Sequence, residues 1–293
     1  MRREEFSQLL ATRPVWLDGG LGSMLIAAGL PPGHGPERWN LEQPARVEAV
    51  HRAYVEAGCR VVHANTFGCS QPKLRAAGLD ADVATVNRAA VAHARRAAGE
   101  RALVAGDIGP TGLSLPPLGN ATVADVEAAY VEQVDVLVAA GVDLLSIETM
   151  YDLREALVAL AAARRHDLPV MASMTFEARK RGFFTVMGNP LAGSLATLAA
   201  AGADAVGCNC SVGPDTMVAM AAEALAAVNL PVVAQPNAGL PRTTVDGVDY
   251  DAGPAEFACA CAAMAAAGVA LLGGCCGTTP AHLAAARAAV AKP

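Results

Sequence analysis

Two groups of cysteines are the residues in this chain whose types and spacing could do chemistry. Cys275 and Cys276 are adjacent, have glycines on both sides, and follow an apolar run that ends at Leu272. Upstream, Cys208 and Cys210 lie at the end of another apolar run. Thiolates brought together from the ends of two buried strands would bind zinc. Three of them leave one tetrahedral position open, which is typical of catalytic rather than structural zinc sites.

This thiol cluster leaves one choice open and has one competing interpretation. Strand side chains alternate with a period of two, so Cys208 and Cys210 would share a face, but the strand ends here and spacing does not choose between them. The competing interpretation, inert buried thiols, leaves the glycines beside the adjacent pair unexplained, because small residues suit a close approach of backbone and metal. The other four cysteines are predicted to be non-ligands: Cys59, Cys69, Cys259 and Cys261. The last two lie in the predicted seventh helix and are expected to fill the core.

Eight short apolar runs, each followed by a loop and an alanine-rich helical stretch, organise the chain. The predicted strands are 15–18, 60–65, 102–107, 143–148, 170–175, 203–209, 232–236 and 269–274. The predicted helices are 45–57, 81–98, 123–140, 153–165, 191–201, 214–227, 254–267 and 280–291. Continuously apolar strands indicate a parallel sheet covered on both faces. Eight βα units therefore predict an α/β fold, a single-domain (β/α)8 TIM barrel over residues 1–293, in preference to an open doubly wound sheet.

Polar residues collect at the carboxyl ends of these strands, where barrels of this kind build their active sites. The zinc site is therefore predicted at the C-terminal mouth. Three carboxylates there, Asp18, Asp107 and Glu148, are interpreted as binders of a ligand ammonium group or as supporting groups, in preference to a pair for glycoside hydrolysis. His63 lies inside the second strand, but no His-x-x-x-His spacing occurs, which disfavours a hydrolytic zinc site. Three long mouth loops, 67–80, 176–190 and 238–253, are predicted to contact substrate or to act as lids.

Composition narrows the class of protein. Of 293 residues, 53% are hydrophobic and 17% charged, and 22 basic against 28 acidic residues give a net charge of −6. No basic block suggests a nucleic acid or an anionic membrane as partner. The N-terminus lacks the apolar core of a signal peptide, and no run has transmembrane character. A cytoplasmic protein is expected, in which clustered cysteines stay reduced and serve as metal ligands or catalytic groups.

A zinc ion held by three thiolates suits one kind of chemistry. Strong donation from the sulfurs makes it a poor activator of water, but it still lowers the pKa of an incoming thiol. The bound thiolate remains electron-rich enough to attack carbon, so alkyl transfer to a substrate sulfur is the expected reaction.

The chain resembles the homocysteine S-methyltransferase family. This family includes betaine–homocysteine methyltransferase, S-methylmethionine–homocysteine methyltransferase and the homocysteine-binding part of cobalamin-dependent methionine synthase. The resemblance rests on motifs that span almost the whole chain in order: Leu17-Asp18-Gly19-Gly20, Asn65-Thr66-Phe67-Gly68, Gly106-Asp107-Ile108-Gly109-Pro110-Thr111-Gly112, Ile147-Glu148-Thr149, Met174-Thr175-Phe176, Asn209-Cys210-Ser211, Pro236-Asn237-Ala238-Gly239 and Gly273-Gly274-Cys275-Cys276-Gly277-Thr278-Thr279-Pro280.

The resemblance implies an enzyme of methionine biosynthesis, a zinc barrel that methylates L-homocysteine to methionine. It implies that the catalytic zinc ligands are Cys210, Cys275 and Cys276, with Cys208 not a ligand. It further implies substrate-binding roles for four residues at the mouth. Asp18 and Glu148 would hold the homocysteine amino group. Thr149, with nearby backbone groups, would hold its carboxylate, and Asn237 would approach the metal before substrate arrives.

The resemblance does not specify the methyl donor. A small donor such as betaine or S-methylmethionine is expected. The alternative is methylcobalamin on a separate corrinoid protein, because the 106–112 and 236–239 motifs are most similar to the methionine synthase module. A quaternary ammonium donor would need an aromatic cage, for which six aromatics lie in or beside mouth loops: Trp39, Phe67, Tyr151, Phe176, Phe183 and Phe184. Two other classes compete with this function: a non-catalytic zinc-binding barrel with four protein ligands, and a metal-independent thiol–disulfide or persulfide enzyme.

Overall fold

A closed ring of eight parallel strands forms the centre of the protein. The computed structural model describes residues 1–11, 14–31, 33–244 and 247–291. Its strands are β1 Val15–Trp16, β2 Val61–His63, β3 Leu103–Ile108, β4 Leu144–Met150, β5 Val170–Met174, β6 Glu177–Arg179, β7 Gly182–Phe184, β8 Ala205–Asn209, β9 Val232–Gln235, β10 Pro241–Thr244, β11 Gly247–Tyr250 and β12 Leu271–Leu272.

The ring follows chain order, as the sequence predicts for a (β/α)8 barrel. Strands β1, β2, β3, β4, β5, β8, β9 and β12 lie side by side in parallel, and β12 pairs back onto β1 through Val15↔Leu271. The ring closes between β1 and β2 by the parallel bridge Leu17↔Val61. The predicted single-domain TIM barrel is confirmed, and all carboxyl strand ends therefore open at one mouth.

Helices surround the ring. They are α1 Arg3–Leu10, α2 Leu21–Ala27, α3 Trp39–Glu42, α4 Pro44–Ala57, α5 Gln71–Ala76, α6 Val83–Ala98, α7 Val123–Ala139, α8 Leu153–Ala163, α9 Leu191–Ala200, α10 Pro214–Ala227, α11 Pro254–Ala267 and α12 Pro280–Val290, with a 3-10 turn at Pro36–Arg38. The eight predicted helices are all present with ends within a turn. Local chemistry explains their starts: Asp82 and Thr122 accept backbone N–H groups of α6 and α7, and proline opens α4, α10, α11 and α12.

Two packed layers hold the barrel together. The larger joins the outer faces of the strands to the helices, and its buried members include Tyr54 and Tyr130. The smaller fills the barrel interior and is closed at the end opposite the mouth by α1, whose Phe6 is 1% exposed. The sequence patterns did not predict α1, because a helix of 8 residues is too short to show a clear periodic face.

Two of the three long mouth loops contain antiparallel hairpins. The β6–β7 hairpin follows β5, and the β10–β11 hairpin follows β9 with Pro241 opposite Tyr250. The remaining loop contains the short helix α5. Among the described residues, no helix is both long enough and apolar enough to cross a membrane.

Candidate metal centre and substrate cavity

Three thiols meet at the mouth of the barrel. Cys210 directly follows β8, and Cys275 and Cys276 follow β12; their sulfurs all lie within 4.8 Å of one another. The Sγ atoms of Cys210 and Cys276 are 3.9 Å apart. Two sulfurs bound tetrahedrally to one zinc, each at about 2.3 Å, are separated by about 3.8 Å. The Cys210–Cys276 separation therefore matches that of two ligands of one zinc ion, and the three thiols could together hold the ion with one coordination position left for a further ligand.

A left-handed backbone turn decides which cysteine of the upstream pair reaches the mouth. Cys210 and Ser211 have φ of 61° and 60°, a conformation that costs non-glycine residues about 1–3 kcal/mol and occurs mainly at functional sites. The turn breaks the strand alternation. Cys208 stays in the outer core at 1% exposure, while Cys210 lies on the cavity wall.

The glycines beside the cysteine pair serve backbone packing. A Cβ on Gly274 would lie 2.3 Å from Thr278 Oγ1, and one on Gly20 would lie 2.6 Å from the Cys275 carbonyl. The pair is also tied to the neighbouring strand end. The Cys275 N–H donates to Pro236 O at 2.8 Å, and the Cys276 carbonyl accepts from the Ala238 N–H at 3.0 Å. Rigid backbone on both sides fixes the two sulfurs.

Asn209 connects the thiols to Thr149. Its Oδ1 accepts from the Thr149 N–H and from Ser173 Oγ, both at 2.8 Å, and its Nδ2 donates to Thr149 Oγ1 at 2.7 Å. The same Nδ2 faces Cys275 Sγ at 3.9 Å. Thr149 has a φ of 59°, unusual for a β-branched residue, and these bonds hold it there. Because the Thr149 hydroxyl oxygen accepts from Asn209, its own proton is free to donate into the cavity.

A cavity of about 390 Å³ lies beside the thiols. Its wall includes the three cysteines and, among polar and aromatic residues, Glu37, His63, Phe67, Asp107, Glu148 and Thr149. Two of the residues assigned by resemblance do not line it. Asn237 is buried at 4% exposure, and its Oδ1 has no hydrogen-bond partner among the described residues. Asp18 is 1% exposed and is bound to a neighbouring side chain.

Asp18 and His63 form a buried ion pair. Asp18 Oδ2 accepts the His63 N–H at 2.9 Å, and Asp18 Oδ1 lies 2.6 Å from His63 Nδ1. The other ring nitrogen lies 3.1 Å from Ser146 Oγ. Burial alone would lower the pKa of His63, but the charge and hydrogen bond of Asp18 outweigh burial and raise the pKa to about 10. The imidazole is therefore a cation at neutral pH, and its charge is neutralised by Asp18.

Asp107 and Glu148 are carboxyl groups whose ionised forms the surroundings disfavour. Burial, followed by the Glu148 charge, raises the pKa of Asp107 well above its usual value. Burial is also the main cause that raises the pKa of Glu148 to about 7; Asp18 and Cys276 add to it, and His63 opposes it. Two desolvated carboxylates of this kind are stabilised by a bound cation.

Comparison with known proteins places this geometry in a family. The model of the homocysteine S-methyltransferase family matches residues 15–290, which is most of the chain. This chain belongs to the homocysteine S-methyltransferase family.

Individual relatives agree with that membership. Methionine synthases from Mycobacterium tuberculosis and Mycobacterium leprae are each 33% identical to the chain, over 303 and 304 residues. These alignments cover 97% of this chain but 25% of each relative, so the chain spans about a quarter of the length of these curated relatives. The metallated form of the homocysteine methyltransferase MmuM from Escherichia coli is similar in structure, with a TM-score of 0.79 and 26% identity over 96% of this chain and 98% of that one.

Within this homocysteine S-methyltransferase fold, Tyr250 is a site residue that the sequence patterns did not reveal. It ends β11, and its ring packs on Gly277, where a Cβ would lie 2.2 Å from the Tyr250 Cγ. Hydrogen bonds from Cys210 and Cys275, and also from the Tyr250 hydroxyl, lower the pKa of Cys276. The sequence does place Tyr250, an aromatic residue, in one of the long mouth loops. Its contact with the cysteines could not be predicted, because they are distant from it along the chain.

The predictions for the other cysteines and for the mouth-loop aromatics of this family member were partly right. Cys261 is buried in the core, as predicted, and Cys59 and Cys69 are buried outside the thiol cluster. The prediction that Cys259 fills the core was wrong: it is exposed, because a separation of two residues puts it about 200° around α11 from buried Cys261. Of the six mouth-loop aromatics, Phe67 is the one that lines the cavity among the described residues.

Proposed function

We propose that this chain transfers a methyl group to the thiol of L-homocysteine in a zinc-dependent reaction that gives methionine. Residues 1–293 would act as one homocysteine-binding domain in the cytoplasm. The observation that carries the proposal is the meeting of Cys210, Cys275 and Cys276 within 4.8 Å of one another on the wall of a cavity of about 390 Å³. That volume lies within the range of roughly 300–1,000 Å³ found for small-molecule sites.

Each residue has a role that its contacts support. The three thiolates would hold zinc. Bound zinc would supply a Lewis acid that lowers the pKa of the homocysteine thiol, so that the thiolate forms near neutral pH. The free hydroxyl proton of Thr149 would donate to the homocysteine carboxylate. Asn237 would approach the metal before substrate arrives. Its buried Oδ1, which has no hydrogen-bond partner in the described part of the chain, supports this role. Homocysteine would then be fixed at its sulfur and at its polar end.

The methyl transfer needs little further chemistry from the chain. The homocysteine thiol would give up its proton to solvent water on binding, and its sulfur would attack the methyl carbon of the donor from the side opposite the leaving group. The new S–C bond forms as the bond between methyl and donor breaks, and the electron pair of that bond leaves with the donor. Positioning and exclusion of water are the contributions of the barrel, and they account for several kcal/mol in well-oriented reactions.

A small cationic donor fits the cavity wall. Glu37, Asp107 and Glu148 make the wall acidic, which favours a sulfonium or quaternary ammonium donor of the S-methylmethionine or betaine type. Quaternary ammonium groups are usually bound by several aromatic faces, and Phe67 is the aromatic lining residue in the described part of the chain. Of the two types, S-methylmethionine is therefore favoured.

A second candidate takes the methyl group from methylcobalamin on a separate corrinoid protein. Four of the exposed large hydrophobic side chains lie in connections that follow the carboxyl ends of barrel strands, one of them in α2 and three in loops: Ile26, Leu118, Val186 and Leu240. A mouth with an apolar rim suits docking of a protein carrier. The two methionine synthases, each 33% identical to the chain, point to the same kind of donor.

A donor panel tests the proposal. Zinc-loaded protein is incubated with L-homocysteine and either S-methylmethionine, betaine or methylcobalamin, and methionine is measured by mass spectrometry. The Cys275→Ala variant, which should lose zinc and activity together, is the matched control. Absence of methionine with every donor would overturn the assignment.

One spectroscopic and one activity measurement separate the rival classes. X-ray absorption of the zinc site should show one additional sulfur when homocysteine is added, whereas a closed site with four protein ligands should not change. A thiol–disulfide enzyme should keep its activity after complete removal of metal, whereas the proposed methyltransferase should lose it.

A further inference from the structure

Phe67 lies across the barrel mouth from the thiols. Cys210 directly follows β8 and Phe67 follows β2, and these two strands are four positions apart in either direction around the closed ring. Both residues line the same cavity of about 390 Å³, Phe67 together with Pro36 and Glu37 from the connection after β1. The cavity therefore extends from the thiols to a far wall that contains the Phe67 ring.

The direction of methyl transfer assigns one part of the donor to this far wall. Displacement at carbon needs the attacking sulfur, the methyl carbon and the leaving group close to a straight line, so the leaving group points away from that sulfur. The homocysteine sulfur would lie at the thiol cluster, beside the ends of β8 and β12. The leaving group of the donor would then extend across the cavity towards β2, where the Phe67 ring meets it.

Gly109 supports the Phe67 ring from behind. A Cβ at Gly109 would lie 2.5, 2.6 and 2.7 Å from three carbons of that ring, so the ring rests directly on the backbone of the loop after β3. The φ of Gly109 is not in the left-handed region. This glycine is therefore required by the close approach of the ring and not by its own backbone conformation.

Hydrogen bonds fix both the ring and the backbone beneath it. The Gly109 N–H donates to Phe67 O at 3.1 Å, and the Gly68 N–H donates to Glu37 Oε1 at 2.9 Å. The Tyr130 hydroxyl lies 3.2 Å from Gly109 O. A wall that is packed and fixed in this way does not yield readily to a larger ligand, so it discriminates between ligands by size.

We propose that Phe67, supported by Gly109, limits the size of the methyl donor, because the leaving group of a sulfonium donor binds against its ring. This inference rests on the proposed function and adds to it a pair of residues that determines donor specificity. The bond between methyl and the donor sulfur breaks, its electron pair stays on that sulfur, and a neutral thioether is released beside the ring. The homocysteine sulfur, whose proton has gone to solvent water, forms the new bond to the methyl carbon.

Two sulfonium ions that differ in size alone test the assignment. Trimethylsulfonium and cyclohexyldimethylsulfonium carry the same charge, lack amino and carboxylate groups, and can each give a methyl group to homocysteine. Methionine formation by zinc-loaded protein is measured with each ion, and the ratio of the two kcat/KM values reports the size limit. Phe67→Ala should move this ratio at least about 10-fold in favour of the larger ion, since one methylene in an apolar pocket changes specificity by about 10- to 200-fold.

Gly109→Ala is the opposite perturbation. Its methyl group would require the Phe67 ring to move by about 1 Å before normal carbon contacts are restored, and this movement narrows the cavity that the ring lines. The variant should lower kcat/KM for the larger ion by about 10-fold or more, with a smaller effect on trimethylsulfonium. Combining it with Phe67→Ala removes the clash and should restore the larger ion to the level of Phe67→Ala alone.

A control variant and a binding measurement separate donor specificity from general damage. Phe184→Ala removes a phenylalanine of another mouth loop that is not among the described residues of the cavity wall, and it should leave the ratio unchanged. Homocysteine affinity, measured by titration calorimetry, should change by no more than about twofold in each variant, because the thiol cluster and Thr149 belong to other strand ends.

Three outcomes would overturn the inference: a ratio that Phe67→Ala leaves unchanged, a ratio that Phe184→Ala shifts as strongly, and a double variant no better with the larger ion than Gly109→Ala alone. Methionine formed from other donors but from neither sulfonium ion would overturn it as well, because groups other than the sulfonium would then determine the donor. Wild-type protein still forms methionine in all these cases, so the proposed methyl transfer would stand. Zinc-loaded protein that forms no methionine with any donor would overturn the proposed function together with the inference.

Discussion

Replacing Asn209 by alanine is the perturbation whose consequences the structure defines best. The side chain of Asn209 is fully buried and makes two hydrogen bonds with Thr149 and one with Ser173. The alanine variant removes all of them and leaves the Thr149 N–H without an acceptor. The matched control, Ser173→Ala, removes one bond to the same amide and leaves Thr149 untouched.

The magnitude follows from these contacts. Each hydrogen bond contributes about 1 kcal/mol net, and a buried donor without an acceptor costs about 1–3 kcal/mol. Asn209→Ala should therefore destabilise the protein by about 3–5 kcal/mol, and Ser173→Ala by about 1 kcal/mol. Thr149 should also leave its left-handed conformation, because holding it there costs about 1–3 kcal/mol that only these bonds offset.

Thermal unfolding and steady-state kinetics check the two parts of this reasoning. For a protein of this size, about 3 kcal/mol corresponds to a Tm lower by about 5–10 °C. The KM for homocysteine should rise more than kcat falls, because Thr149 is proposed to hold the substrate carboxylate. A Tm for Asn209→Ala equal to that of Ser173→Ala would show that the Thr149 contacts contribute nothing, and the reasoning would be refuted.

Three further perturbations have definite expected outcomes. Cys275→Ser should lower zinc affinity by more than about 100-fold, since loss of a supporting residue alone costs about 10–100-fold; chelator competition measures it, and unchanged affinity would contradict the metal site. Because the folded pKa of His63 is about 10 and its unfolded value about 6.5, its stabilisation is fully present below pH 6.5 and is lost as pH rises towards 10. Denaturant unfolding of wild-type protein at a series of pH values should show this decline in the free energy of unfolding, and Asp18→Asn should depend less on pH. Parallel pH profiles would show that the ion pair does not contribute to stability. Tyr250→Phe keeps the ring but removes the hydrogen bond to Cys276, so zinc should dissociate up to about 10-fold faster with little change in Tm; an unchanged rate would show that the hydroxyl does not support the site.

Much of the barrel was predictable because its causes are local. Continuous apolar runs and alanine-rich stretches alternate eight times, and each strand can be buried only if helices cover it. The elements that were not predicted depend on distant partners. Helix α1 packs against the end of the barrel through Phe6. The β10–β11 hairpin packs through Tyr250 on Gly277, next to the adjacent cysteines.

The eightfold βα order could be predicted from the sequence, as could the position of the polar residues at the mouth and the cysteines able to bind a metal. These follow from residue type and from spacing along the chain. Strand spacing alone left Cys208 and Cys210 as alternatives; the fold brings Cys210 to the adjacent pair, because a positive φ at Cys210 overrides strand alternation. Only the tertiary structure decided that Asp18 binds His63 while Asp107 lines the cavity. Contacts between strand ends far apart in sequence set the direction of each carboxylate, and no local pattern records them.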